Sequence, residues 1–173
     1  MQKKTKQNIE VIVLLALLTA LDVIMSRFLS INSTYFKLDT SFIPMVIAAY
    51  FYGPVGSMVV AGLGDFIGAL LFPFGPYMPH FTISAALTGI IFGFALKGKP
   101  NFIKVLLAVV PSQIICSLML NSLFLEILYG NVIFWIRLVQ TLLVIPIQVV
   151  VTYLVIKKVV PFVKIKRVTI KLK

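Results

Sequence analysis

Charge is scarce in this chain: only 12% of its 173 residues are charged, against about 25% in an ordinary soluble domain. Five residues are acidic, one is histidine and one is cysteine. The lone Cys116 cannot form an intrachain disulfide and has no thiolate partner for a metal site. The lone His80 leaves no imidazole set for zinc, and no H-E-x-x-H occurs. No G-x-x-x-x-G-K-[ST] phosphate loop occurs, which excludes ATP hydrolysis by that route. His80 and Ser84 are four apart on one helix and could touch. No orienting group or oxyanion hole accompanies them. A small membrane enzyme built on that pair is the alternative from a different functional class.

What is present is apolar. Hydrophobic residues make up 60% of the chain and the mean hydropathy is +1.07. That composition describes an integral membrane protein whose solvent is largely lipid. We expect a single transmembrane domain over residues 1–173. The net charge of +11 does not point to nucleic acid, because the lysines lie in tails and short loops rather than on one amphipathic face. They read as topology signals. The basic start and apolar run of "MQKKTKQNIEVIVLLALLTALDVIMSRF" lack a small-residue cleavage site, so this segment is expected to stay as the first span.

Six apolar segments follow one another, at roughly 9–28, 42–52, 54–72, 80–96, 102–125 and 132–157. A span needs about 20 residues, and the second segment, "FIPMVIAAYFY", is short. Charge decides whether it crosses. If it does, Lys3, Lys4, Lys6, Lys97, Lys99, Lys104, Lys157, Lys158 and the basic tail all face the cytoplasm, as the positive-inside rule requires. If it does not, the lysines at 97–104 and the tail fall outside. The expected fold is therefore an all-α bundle of six transmembrane helices with a short second helix. Both termini are cytoplasmic, and Gly53-Pro54 forms the tight turn into the third helix.

This topology leaves three outer connections, and each pairs aromatics with a cation or rigid punctuation. The first, "NSTYFKLDT", carries Tyr35, Phe36, Lys37 and Asp39. The second, "FPFGPYMPHFT", carries Phe72, Phe74, Tyr77 and His80 on a frame stiffened by Pro73, Pro76 and Pro79. The third leads through Glu126 to "NVIFWIRL", with Phe134, Trp135 and Arg137. A stiff aromatic loop suits a lid over a flat ligand; an interfacial aromatic belt is the plainer explanation. Ionisable residues within spans are costly and point to function. Arg27, Asp22, Asp65 and Arg137 qualify. Gln113, Asn121, Gln140 and Gln148 suit interhelical hydrogen bonding, with Asn121 closest to the outer mouth. Small residues four apart, at Ala16/Ala20, Gly64/Gly68 and Ala85/Gly89/Gly93, allow close helix contact. The last two are expected inside the bundle. The first is expected to face another protein.

The stretch "GDFIGALLFPFGPYMPHFTISAALTGIIFGF", Gly64 to Phe94, resembles the folate-specific substrate-binding subunit (S component) of the energy-coupling factor vitamin transporters. The six-helix layout, the basic cytoplasmic ends and Ala16-Leu-Leu-Thr-Ala20 agree with that family over nearly the full length. The chain departs from it at His80, where a small residue such as glycine is expected. The resemblance implies a multi-pass subunit of the bacterial plasma membrane that captures extracellular folate and is not an enzyme. It implies docking, through Ala16 and Ala20, with a transmembrane coupling subunit and two ATPase subunits. ATP is then used by the partners, and this chain needs no cofactor. Folate's flat pterin can stack on Phe74, Tyr77 or Trp135. Its donor-rich edge suits a carboxylate, with Asp39, Asp65 and Glu126 as candidates. Its glutamate suits Arg27, Lys37 and Arg137. His80 and Asn121 complete the expected binding set. Another flat vitamin, riboflavin or thiamine, is the alternative ligand.

Overall fold

A computed structural model describes residues 2–32, 37–73, 77–96, 101–122 and 132–160. Of the outer connections, Phe74, Gly75 and Pro76 and the segment holding Glu126 lie outside the described residues, as do the side chains of Lys37 and Phe134. The basic tail after Val160 also lies outside them.

Among the described residues, five helical elements carry the fold. Helix α1 runs Gln2–Phe28, a stretch with no proline or glycine to interrupt it. Arg27 sits in its last turn, where a cation complements the helix dipole. The Ser30 hydroxyl donates to the Ser26 carbonyl just beyond, satisfying one of the end groups a helix leaves open. A short hairpin follows, β1 (Ile31–Asn32) against β2 (Lys37–Leu38), pairing Ile31 with Leu38 and Asn32 with Lys37. The Asp39 carboxylate then accepts the Ser41 N–H at 2.9 Å and starts α2 (Phe42–Leu71).

Helix α2 is broken once, at Gly53, with φ 72° and ψ −158°, a conformation that needs glycine. Neighbours along α1 show that the chain reverses there. Thr40, just before α2, donates to the Met25 carbonyl at 3.2 Å. Gly56, just after the break, lies against Leu15. Further along, Gly64 lies against Asp22 and Gly68 against Arg27. Both ends of α2 therefore sit beside the same end of α1, and Gly53 sits near its middle. In a straight helix Met45 and Ala61 would stand about 24 Å apart; here they line one cavity. The expected tight turn at Gly53-Pro54 is present. A single non-helical residue makes it, so segments 42–52 and 54–72 are the two arms of one element broken at Gly53, and the described residues show five helical elements where six helices are expected.

Helix α3 spans Pro79–Ala95, with proline in its first turn, where no N–H is needed. Helix α4 (Phe102–Ser112) continues into a wider π-helical stretch, Gln113–Leu120, just past Pro111. Helix α5 (Val132–Leu154) ends likewise in a π-helical stretch, Val155–Val159.

The packed core lies at the Gly53 end. Tyr52, Phe92, Leu96, Val105 and Val109 are almost wholly buried there. Gly89 and Gly93 let α3 approach the backbone of α2: a Cβ on Gly89 would lie 2.5 Å from the Ser57 carbonyl oxygen, and one on Gly93 would meet Pro54. The Ser57 hydroxyl bonds to the Gly89 carbonyl at 2.6 Å. The outward surface is apolar, with Ile12 66%, Leu17 61%, Ile103 66% and Leu142 64% exposed. Such an extended apolar face is the mark of a lipid-facing surface. Four helical stretches, Ile9–Phe28, Phe42–Leu71, Phe102–Leu120 and Arg137–Val159, are long and apolar enough to cross a membrane.

Candidate ligand-binding cavity

The half of the bundle opposite the apolar core holds a cavity of about 270 Å³, to which all five helical elements contribute lining residues. Small-molecule sites begin at about 300 Å³, so the space is of the right order for one compact ligand. Its lining is unusually polar for a chain of this composition. It includes Asp22, Asp39, Asp65, Arg27 and Arg137; each ionisable group inside a membrane protein is costly and needs a use.

Contacts between neighbouring helices fix the relative depth of these groups. Asp22 lies against Gly64, and Asp65 accepts the Thr82 hydroxyl at 2.8 Å, so these residues of α1, α2 and α3 share one level. Thr88 and Cys116 line the cavity from neighbouring helices. One turn outward along both antiparallel helices, Ser84 comes level with the Leu120–Asn121 end of α4. Gln113 donates to Gln148 at 2.5 Å, and about two turns outward from that pair Asn121 comes level with Gln140. The inner tier therefore combines carboxylates with neutral hydrogen-bonding groups: Asp22, Asp65, Ser84, Asn121 and Gln140. Arg27, beside Gly68, and Arg137 each stand about one turn further out. The outer tier carries these two cations, with Asp39 beside the end of α1.

Five of the ten ligand residues expected from the sequence line this cavity: Arg27, Asp39, Asp65, Asn121 and Arg137. Tyr77 does not line it. Its ring meets Phe66 edge to face at 5.8 Å, and its hydroxyl lies 3.1 Å from the Thr82 hydroxyl, which in turn donates to Asp65. Tyr77 thus reaches the cavity only through Thr82. Phe72 packs on Phe28 at 5.3 Å. The described ends of the proline-rich connection are therefore both anchored, one on α1 and one on α2 and α3. His80 is buried behind the cavity wall with its ring 4.1 Å from that of Phe81, and it is Phe81 that lines the space. Trp135 is 70% exposed and does not line the cavity; an aromatic at that depth matches an interfacial belt. The Ser84 hydroxyl has no hydrogen-bond partner, so the His80–Ser84 pairing that an enzyme would need is not made. Gln113 and Gln148 do bond across helices as expected, and they line the cavity as well.

Sequence reasoning missed the small polar residues. Ser84 and Thr88, Cys116 and Ser117, and Gln140 and Thr141 all line the cavity. A signal existed: Phe81, Ser84, Ala85 and Thr88 recur at the three- and four-residue spacing of one helix face, as do Gln113, Cys116, Ser117 and Asn121. Ala16 and Ala20 are both exposed on α1, and Asp22 is buried on its other side.

Comparison with known proteins agrees with this architecture. The Folate transporter FolT of Clostridium novyi (strain NT) is 32% identical over 151 residues, covering 85% of this chain and 88% of that protein. The Folate transporter FolT of Leuconostoc mesenteroides subsp. mesenteroides is 31% identical over 151 residues, covering 82% of this chain and 81% of that protein. The crystal structure of FolT bound with folic acid superposes with a TM-score of 0.78 at 33% identity, covering 85% of this chain and 92% of that one. The S component of another bacterial ECF transporter shares the fold at a TM-score of 0.65 and 20% identity, over 92% of this chain and 99% of that one. The pattern of the ECF transporter substrate-specific component matches residues 10–156, and the chain belongs to that family.

Proposed function

We propose that this chain captures extracellular folate in the two-tier cavity and hands it to the coupling and ATPase subunits of an ECF importer. The observation that carries the reading is the polarity of the cavity: Asp22 and Asp65 with neutral groups inside, Arg27 and Arg137 outside. Folate has the same polarity, with a donor-rich pterin at one end and a doubly anionic glutamate at the other. The pterin enters first, its amino edge directed to Asp65, and its flat face has Phe81 and Phe42 beside it; Asp39 stands with the arginines at the outer end. The glutamate carboxylates remain near Arg27 and Arg137, with Lys37 at the outer connection. The two relatives named as folate transporters support the same ligand.

In the membrane the reversal at Gly53 turns α2 into two crossings. The total is then six, with both termini and Lys104, Lys157 and Lys158 on the cytoplasmic side. The cavity opens outward. This multi-pass protein of the bacterial cell membrane is a transport component, and ATP is hydrolysed by its partners. Ala16 and Ala20 form the contact for the transmembrane coupling subunit.

Calorimetry on detergent-purified protein tests the ligand. Folic acid should bind without ATP, with a dissociation constant near or below the nanomolar scale, about −12 kcal/mol. Heat with riboflavin or thiamine and none with folic acid would replace folate by another flat vitamin.

A further inference from the structure

On the seam between α4 and α5, the Lys157 Nζ stands 5.7 Å from the centroid of the Tyr153 ring. That ring meets Phe102 of α4 edge to face at 5.8 Å. None of the three lines the cavity. A lysine that only marks the cytoplasmic side needs charge and nothing more. A flexible stem held over an aromatic face has its charge in a fixed place. Lys158 is exposed beside it, and neither α4 nor α5 carries an aspartate or glutamate. Outward from the aromatic pair the exposed side chains are apolar: Leu106 on α4, Val150 and Pro146 on α5. Positions 146, 150, 153 and 157 recur at helical spacing and so share one face of α5. The seam therefore runs from cation through aromatic pair to hydrocarbon.

We infer that this seam binds one anionic phospholipid. Its headgroup phosphate lies on Lys157 and Lys158, its glycerol-ester region against Tyr153 and Phe102, and an acyl chain along Leu106, Val150 and Pro146. A phospholipid has the same order of charge, interface and hydrocarbon as the seam. Charge complementarity selects the anionic class, because a zwitterionic headgroup brings its own cation to the two lysines. Helix α1 packs on α2, while the seam lies between α4 and α5, so this face differs from the one that carries Ala16 and Ala20. The site rests on the membrane location of the chain and holds whatever ligand the cavity takes.

The test is native mass spectrometry of the full chain from a neutral detergent, after incubation with dioleoylphosphatidylglycerol or dioleoylphosphatidylcholine. Wild-type protein should retain one phosphatidylglycerol in preference to phosphatidylcholine. Lys157→Gln/Lys158→Gln should weaken that lipid about fivefold for each lysine removed. Lys171→Gln/Lys173→Gln removes the same charge from the tail and should retain the lipid as wild type does. Tyr153→Leu keeps both lysines and the apolar area, and should lose part of the preference because Lys157 is no longer held. Equal losses in the two double variants would reduce the effect to general attraction between a basic chain and an anionic surface, and overturn the site. Equal retention of the two lipids by wild type overturns it as well. Displacement of the lipid by soluble glycerol phosphate would assign the lysines to a free phosphate instead, and the lipid assignment would fall.

Discussion

Arg27 and Arg137 reach the cavity from α1 and α5, about a turn outside the carboxylates. A charge-assisted hydrogen bond in such a place is worth about 1.5–3 kcal/mol. Arg27→Ala and Arg137→Ala should each weaken folic acid roughly tenfold or more and affect pteroate much less; calorimetry with both ligands shows it. Equal losses would place these arginines in the scaffold or against the ring. Gly68 offers a gentler probe of the same group. A Cβ there would stand 2.9 Å from the Arg27 Nε, so Gly68→Ala must shift a flexible side chain without disturbing backbone. It should cost part of the Arg27→Ala effect on folic acid and none of the effect on pteroate. An unchanged folic acid affinity would show that Arg27 has slack to absorb the methyl group. Such charges were legible in the sequence because an ionisable residue stands out in an apolar helix. Ser84, Thr88 and Thr141 were not, because small hydroxyls are common in membrane helices and mostly bond to their own backbone. Trp135 misled in the opposite direction: its aromatic ring and its nearness to Arg137 suggested a stacking platform, yet its side chain faces outward.

Among the elements, α2 depends most on one residue. Gly53 holds φ 72° and ψ −158°, which an L side chain adopts only with strain of about 1–3 kcal/mol. Its reversal places Met45 and Ala61 on the same cavity and brings Pro54 against Gly93. Gly53→Ala should therefore lower the thermal midpoint, while Gly62→Ala, where the added methyl group would stand 3.3 Å from a single Ala86 methyl, should change it little. Similar midpoints in the two variants would mean the turn relaxes without glycine. Gly-Pro punctuation made this reversal legible from the chain alone. The number of separate helices was less legible, because a one-residue break interrupts hydrophobicity no more than a helix interior does. The proline-rich connection joins α2 to α3. Phe72 and Tyr77 anchor its described ends on Phe28 and Phe66, and the Tyr77–Thr82–Asp65 chain ties it to a cavity carboxylate. Tyr77→Phe and Pro76→Gly should each speed folic acid release, since affinity changes appear mostly in the off-rate. Stopped-flow release at the wild-type rate in both variants would leave the connection as an interfacial belt.

At the scale of the whole molecule, the capture and coupling sites proposed above lie on different surfaces. The cavity lies in the half of the bundle opposite the apolar core. Helix α1 turns Thr19, Asp22 and Val23 inward, each no more than 7% exposed, and leaves Ile12, Val13, Ala16, Leu17, Ala20 and Leu21 outside. Asp22 stands about 200° around the helix from Ala20, at about 100° per residue, so the acid and the small residues cannot share a face. Helices meet in lipid through close packing rather than through a hydrophobic drive, and alanines four apart let a second backbone approach. Indole rings at both positions would hold that backbone away without touching the cavity, whose α1 residues are Asp22, Ser26 and Arg27. The Ala16→Trp/Ala20→Trp double variant should bind folic acid with wild-type affinity. It should fail to co-purify with the coupling subunit and fail to support folate uptake by cells. Loss of folic acid binding would put the stripe inside the bundle. Normal co-purification and uptake would move the coupling contact to another helix.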